Sequence, residues 1–178
     1  MAYDLHPDAE TLFTGVRMTI KRTWVNDPNG EPHPREAAEV PDAVVVLPLL
    51  DNGDVVLIKN HRYILKTTLW ELPAGCIEPG EDPAVCAARE LEEEAGYRPT
   101  TVTPLTSFFP TPGFCTEQMH AYLATGLTPT AQSLDPTEAI TPHPTPLEQT
   151  MNMIRTGEIE DAKTIAALLF YTTFLRDQ

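Results

Sequence analysis

Five charged residues between positions 81 and 94 are of types and spacing that could do chemistry: Glu81, Arg89, Glu90, Glu93 and Glu94. Glu90, Glu93 and Glu94 stand at i, i+3 and i+4, which on a helix is one face. Three carboxylates on one face repel one another unless a cation sits among them. Arg89 offsets part of that charge, and a divalent metal would offset more. Carboxylate oxygens suit a hard ion such as Mg²⁺ or Mn²⁺. On an arbitrary helix a run of glutamates is ordinary solvated surface. The glycines around this one, and Glu81 ahead of it, weigh against that reading.

A single helix is expected to hold these groups. Asp82 caps it, Pro83 suits its first position, and Gly96 suits its stop. Val85, Ala88, Leu91 and Ala95 form the expected buried stripe, with the glutamate face outward. Upstream, Ala43–Leu50 reads as a central strand with a bulge or edge at Pro48. Val55–Asn60 is expected to be its hairpin partner across the Asp51–Asp54 turn. His61–Leu72 reads as a loop leading into a short strand. Downstream, Thr100–Phe109 and Cys115–Ala124 read as strands joined by a Pro/Gly loop. Gly126–Pro146 reads as loop-rich, with Ala139–Ile140 the core of a short strand. Leu147–Gly157 and Asp161–Arg176 read as helices, the second capped by Asp161 with Ile165, Leu168, Leu169 and Phe174 inward. Before all of these, residues 1–12 suggest a loose arm, Phe13–Trp24 a strand, residues 25–34 a loop and Arg35–Val40 a strand. Residues 1–40 are therefore expected to be a small N-terminal β region, and 41–178 the main α/β domain.

Bulk properties narrow the function. A chain of 178 residues with 42% hydrophobic content can bury one substantial core. Its formal charge of -14, from 12 basic and 26 acidic side chains, argues against nucleic-acid binding by phosphate neutralisation. A small phosphorylated ligand stays open, because a metal can carry that contact. Cys76, Cys86 and Cys115 form no metal-spaced pair, so a reduced, cytoplasmic compartment is expected. The first residues, MAYDLHPDAE, hold no apolar signal region, and no apolar run reaches membrane-spanning length.

As a pattern, Gly75, five residues, Glu81, seven residues, Arg89-Glu90-Leu91, one residue, Glu93-Glu94, one residue, Gly96-Tyr97 resembles the signature of the Nudix hydrolases. Tyr97 stands where an aliphatic side chain is usual. The resemblance implies an α/β/α sandwich with a mixed β-sheet that hydrolyses a nucleoside diphosphate linked to another moiety, with Mg²⁺ or Mn²⁺. Trp70–Gly75, Asn60-His61-Arg62-Tyr63, Pro112 fifteen residues after Tyr97, and Gly157–Thr164 resemble the branch of ADP-ribose pyrophosphatases and related nucleotide-sugar hydrolases. That likeness covers residues 40–175 and implies a homodimer in which the N-terminal strands pack against a second subunit.

The resemblance also implies roles. Glu90 and Glu94 are expected metal ligands, joined by Glu93, by Glu81 and by the backbone carbonyl of Ala74. Arg89 is expected to hold the glutamates through a bidentate ion pair. Glu138 is the candidate general base, with Glu117 or a glutamate of the 90–94 run as alternatives and a bland loop carboxylate as the plain reading. Arg62, Tyr63, Trp24, Pro112 and Glu117 are candidate substrate contacts. The expected reaction is metal-dependent hydrolysis of ADP-ribose or a related nucleoside diphosphate sugar. The alternatives are another nucleotide sugar or dinucleotide as substrate, or a noncatalytic nucleotide-binding regulator.

Overall fold

The computed structural model describes residues 8–176. Two compact units are present: one runs to Asp42 and takes in Phe108–Met119, and the other holds Ala43–Ser107 and the chain from His120 onward.

In the first unit, β1 (Glu10–Thr14), β2 (Thr19–Asn26) and β3 (Pro32–Glu39) form an antiparallel sheet in that order. The strand expected over Phe13–Trp24 is split. Gly15 N–H donates to the Met18 carbonyl at 2.9 Å, so the chain reverses there and part of the expected loose arm becomes β1. The expected loop 25–34 is shorter than its prolines suggested. An Asp27 carboxylate oxygen accepts the Asn29 and Glu31 N–H groups, and β3 begins at Pro32. Pro32 and Pro34 alternate, so both missing N–H groups lie on one side of the strand and spare the ladder to β2.

The second unit runs β4 (Ala43–Pro48), β5 (Asp54–Arg62), β6 (Thr67–Glu71), β7 (Ala74–Cys76), α1 (Pro83–Glu90), a π-type turn (Leu91–Ala95), β8 (Tyr97–Arg98), β9 (Thr101–Phe108), β10 (Met119–Thr125), β11 (Thr128–Pro129), β12 (Ile140–Pro146), α2 (Leu147–Thr156) and α3 (Ala162–Phe174). One sheet has the order β7-β4-β10-β9, another β12-β5-β6, and β11 pairs with β8. Every residue of β4 is buried, as its unbroken apolar run requires of a strand covered on both faces. Val44, Val46, Val56, Ile58, Cys86, Ala87, Leu91, Ala95, Ala124 and Ile140 make one core cluster, which fixes α1 and the π turn against β4 and β5.

Three expectations are corrected here. β4 and β5 are not a hairpin: they lie in different sheets and share one bridge, Leu49 to Val55. Pro48 offers no N–H, and Leu49 N–H turns to the Ala124 carbonyl at 2.9 Å. The hairpin partner of β5 is β6, the short strand expected before Pro73; β5 runs on through Arg62, opposite Thr67, so the loop between them is shorter than expected. The loop-rich stretch ends in a full strand, β12, despite Pro142, Pro144 and Pro146. Their alternation keeps the missing donors on one side, and β12 is an edge strand bonded only to β5 within its sheet.

The helices hold closer to expectation. α2 stops at Gly157 with φ of 79°, and Asp161 caps α3 by accepting the Thr164 N–H at 3.0 Å. The buried face of α3 is Thr164, Ala167, Leu168 and Tyr171, while Leu169 and Phe174 are exposed. Helical spacing selects that face over the more apolar side chains. Among the described residues, no helix is long and apolar enough to cross a membrane.

Candidate active site

Asp82 starts α1 as expected: its carboxylate accepts the Ala84 N–H at 2.8 Å and Pro83 follows. The predicted stripe is shifted. Val85 is exposed, and Cys86 and Ala87 are buried with Leu91 and Ala95. The helix also changes pitch at Leu91. The wider π turn carries Glu92, Glu93 and Glu94, and such turns recur where side chains must be re-aimed. It ends at Gly96 in the left-handed region, with φ of 71°. A side chain there would be strained and would press on the Thr130 carbonyl, 3.1 Å from an added Cβ.

The pitch change overturns the outward glutamate face. Glu94 is buried, and its carboxylate accepts the Ala74 N–H at 2.8 Å. Burial, with help from the Glu90 and Glu138 charges, pushes the Glu94 carboxyl up to about 8, against the pull of the Ala74 bond and Lys163. Glu90 is also raised, chiefly by burial, although Arg89 opposes the shift. Gly75 is explained by the same residue: a Cβ at 75 would overlap the Glu90 carboxyl group. Glu93 is the open member, 40% exposed.

Arg89 organises these groups. Its Nε and Nη2 donate to the two Glu81 oxygens at 2.9 and 3.0 Å, a bidentate fork. Its Nη1 reaches Glu90 at 2.7 Å and Glu93 at 3.0 Å. The bond from Arg89 holds the Glu81 carboxyl down to about 2. Arg89 Nη2 also lies 3.3 Å from the Cys86 sulfur. Burial still pushes that thiol up to about 12, which leaves it protonated and inert.

Glu138 is brought to this cluster. It lies close enough to Glu90 and Glu94 for its charge to raise both carboxyls. The loop that carries it is stitched to the end of the π turn. Thr130 N–H donates to Gly96 O at 2.7 Å, Ser133 N–H to Glu93 O at 3.0 Å, and the Gln132 amide to Glu94 O at 2.6 Å. The expectation for Glu138 rested on resemblance alone, and nothing in the spacing of Gln132 or Ser133 announced their tethering role.

Arg62 lies on the other flank. Its Nε donates to Glu71 at 2.7 Å and its Nη2 bonds the second Glu71 oxygen, which raises the Arg62 pKa. Lys163 donates to the same Glu71 at 2.7 Å and to Asp161 at 2.8 Å. In the sequence, Glu71, Lys163 and Asp161 read only as motif or cap residues. Their charge pairing crosses 92 positions of chain between Glu71 and Lys163 and leaves no local signal. Tyr63 is exposed at the β5–β6 turn, edge-on to His61 with ring centroids 5.2 Å apart. Trp24, exposed on β2, and Pro112 and Glu117, in the 108–119 segment, belong to the first unit.

The donor chemistry fits a hard divalent cation: oxygen-only, carboxylate-rich, partly desolvated and served by one guanidinium. Among the described residues, however, no three His, Cys, Asp or Glu side chains converge as a metal cage. Glu81, Glu90 and Glu93 are instead turned onto Arg89.

A family model described as NUDIX domain matches residues 39–168. The chain is 36% identical over 163 residues to the ADP-ribose pyrophosphatase of Bacillus subtilis (strain 168), covering 90% of this chain and 88% of that protein. It is equally 36% identical, with the same coverage, to the methanol dehydrogenase activator of Bacillus methanolicus. A solved structure of an ADP compounds hydrolase superposes with a TM-score of 0.85 at 24% identity, covering 97% of this chain and 94% of the other.

Proposed function

The chain belongs to the Nudix family, with its α/β fold and pyrophosphohydrolase activity, and from that premise we propose that it hydrolyses the pyrophosphate bond of ADP-ribose or a related nucleoside diphosphate sugar. The products are a nucleoside monophosphate and a sugar phosphate. The observation that carries this reading is the Arg89-centred glutamate cluster, with Glu94 buried behind it and a half-exposed Arg62 within electrostatic range of Glu94. The names of the B. subtilis protein and of the superposed hydrolase support the ADP-linked substrate class.

Glu81, Glu90, Glu93, Glu94 and the Ala74 carbonyl would hold Mg²⁺, with Mn²⁺ as substitute. When bound, such an ion offsets phosphate charge and lowers the pKa of a bound water. Arg89 holds Glu81, Glu90 and Glu93 at their stations. Glu138, beside Glu90 and Glu94, is the general base that takes a proton from the attacking water. Arg62 meets the anionic diphosphate. Tyr63 offers an exposed ring for the nucleobase, and Trp24, Pro112 and Glu117 keep the substrate-contact roles that the family resemblance implies. The N-terminal strands would pair with a second copy, which sedimentation velocity tests as a dimeric mass.

The deciding experiment is a substrate panel in Mg²⁺ and Mn²⁺: ADP-ribose, ADP-glucose, GDP-mannose, NADH and diadenosine polyphosphates. Product analysis in ¹⁸O-water locates the attacked phosphorus. ADP-ribose or an ADP-sugar is expected to give the highest kcat/KM, and a preference for NADH or dinucleotides would replace the substrate class. The name of the B. methanolicus relative favours a second, regulatory reading. Nucleotide binding with no hydrolysis of any panel member would select it.

A further inference from the structure

Glu71 is buried to 1% exposure, and no step of the proposed reaction uses it. A carboxylate so deeply buried is costly unless it is paired and hydrogen-bonded. Glu71 is paired twice, by cations from different elements: Arg62 of β5 grips both its oxygens, and Lys163 of α3 donates at 2.7 Å. The clamp is braced from behind. Lys163 also bonds Asp161, whose second oxygen accepts Thr164 N–H at 3.0 Å and Thr164 O–H at 2.6 Å. Thr164 Oγ1 in turn accepts the Leu72 N–H at 2.8 Å, next in chain to Glu71.

The two ends of this assembly differ. Lys163 is 13% exposed, whereas Arg62 is 40% exposed and feels the charge of Glu94. One guanidinium is thus held by Glu71 and still partly open to solvent, within electrostatic range of Glu94. A guanidinium already held by a bidentate pair loses little further freedom when it meets an anion. Lys163 shares the Glu71 charge, so Arg62 is not the sole counter-ion of that carboxylate and retains attraction for a phosphate.

We propose that Glu71, clamped by Lys163, is a positioning residue: it presents the Arg62 guanidinium to the diphosphate of the substrate. This rests on the reading of Arg62 as a diphosphate contact. The test is a double-mutant cycle of Arg62→Gln and Glu71→Gln. Its readouts are the Kd for inorganic pyrophosphate in magnesium buffer, by calorimetry, and KM and kcat for ADP-ribose. Each single variant is expected to weaken pyrophosphate binding about tenfold, and the double variant no more than Arg62→Gln alone. KM should follow Kd, with kcat changed less than about threefold.

Wild-type affinity in a folded Glu71→Gln, or additive losses in the double variant, overturns the proposal. If Glu71→Gln does not fold, Lys163 decides: Lys163→Arg should keep pyrophosphate affinity and Lys163→Met should lose it several-fold, and equal affinities overturn the proposal. A non-additive cycle without ADP-ribose hydrolysis supports the positioning role and sinks the substrate reading, and hydrolysis with an additive cycle does the reverse. A wild-type protein that neither binds pyrophosphate nor hydrolyses ADP-ribose overturns both.

Discussion

Two buried charge clusters share the second unit and are built on opposite principles. Around Arg89, one guanidinium serves three carboxylates, with Glu94 buried behind them. Around Glu71, two cations serve two carboxylates, and the buried anion is saturated by protein donors. The first cluster is short of positive charge and the second is balanced. A balanced cluster can be a structural brace. A cluster short of cations is the one that an external cation would relieve: burial first, and neighbouring carboxylates after it, raise the Glu90 and Glu94 carboxyls.

The largest expected effect tests that contrast at its most buried point. Glu94→Gln should lower kcat at saturating Mg²⁺ by at least about a hundredfold while its circular dichroism spectrum stays native-like. Turnover near wild type would mean that the charge deficit has no catalytic role. Glu138→Gln should cost about a hundredfold or more in kcat with little change in KM, since a positioned base contributes on that scale. Normal turnover in this variant removes Glu138 as the sole base.

Arg89→Gln attacks the first cluster from its cationic side. Loss of the cation that pairs Glu81, Glu90 and Glu93 should destabilise the metal-free protein by about 2 kcal/mol, with part of the loss recovered on adding Mg²⁺. Urea titrations with and without Mg²⁺ measure both quantities, and no recovery would argue against a cation site among these groups.

The pH response should carry the same sign. Glu94 has its folded pKa raised from 4.5 to about 8, so the fold prefers the protonated acid. Below the unfolded value both states are protonated and no penalty exists. As pH rises from 4.5 to 8 the unfolded chain ionises first, and the penalty grows until it is complete above 8. Without metal, the melting temperature of Glu94→Gln relative to wild type should therefore climb by about 10 °C between pH 5 and pH 8. A flat difference would show that Glu94 titrates normally.

The smallest effect is expected in the balanced cluster. Asp161→Asn keeps an oxygen to cap α3 and removes one charge, so it should cost about 1 kcal/mol or less and leave kcat unchanged. A large loss of turnover would show that the second cluster feeds the reaction beyond the orientation of Arg62.

The two clusters also differ in how much of each could be read from the chain. The Arg89 cluster is local: Glu81, Arg89, Glu90, Glu93 and Glu94 fall within fourteen positions, and helical spacing with Gly75 and Gly96 was enough to group them. The glutamate face was misjudged, because the π turn that buries Glu94 depends on Leu91 and Ala95 entering the core and on the 130–133 loop bonding its end. The Glu71 cluster joins β5, β6 and α3; Arg62 is marked in the sequence as a substrate contact, but nothing local ties it to Glu71, Lys163 and Asp161, which read as motif or cap residues. Prolines misled in both units. Their count at β3 and β12 suggested loops, while their alternation along an edge allowed strands.

By itself, the sequence determined the grouping of the Arg89 cluster, since charge type, helical period and the two glycines are local properties that survive any packing of the remainder, and the resemblance of that spacing to the Nudix signature implied the reaction class. It also determined α2, the cap of α3 and the fully buried strand β4, because capping chemistry and an unbroken apolar run act within a few residues. Tertiary structure alone decided that β4 and β5 part into different sheets, that Glu94 is buried, that Glu138 comes within electrostatic range of it, and that Arg62 is held by a carboxylate tied to α3. Those outcomes depend on contacts between distant segments, where burial and pairing outweigh the preference of any single residue.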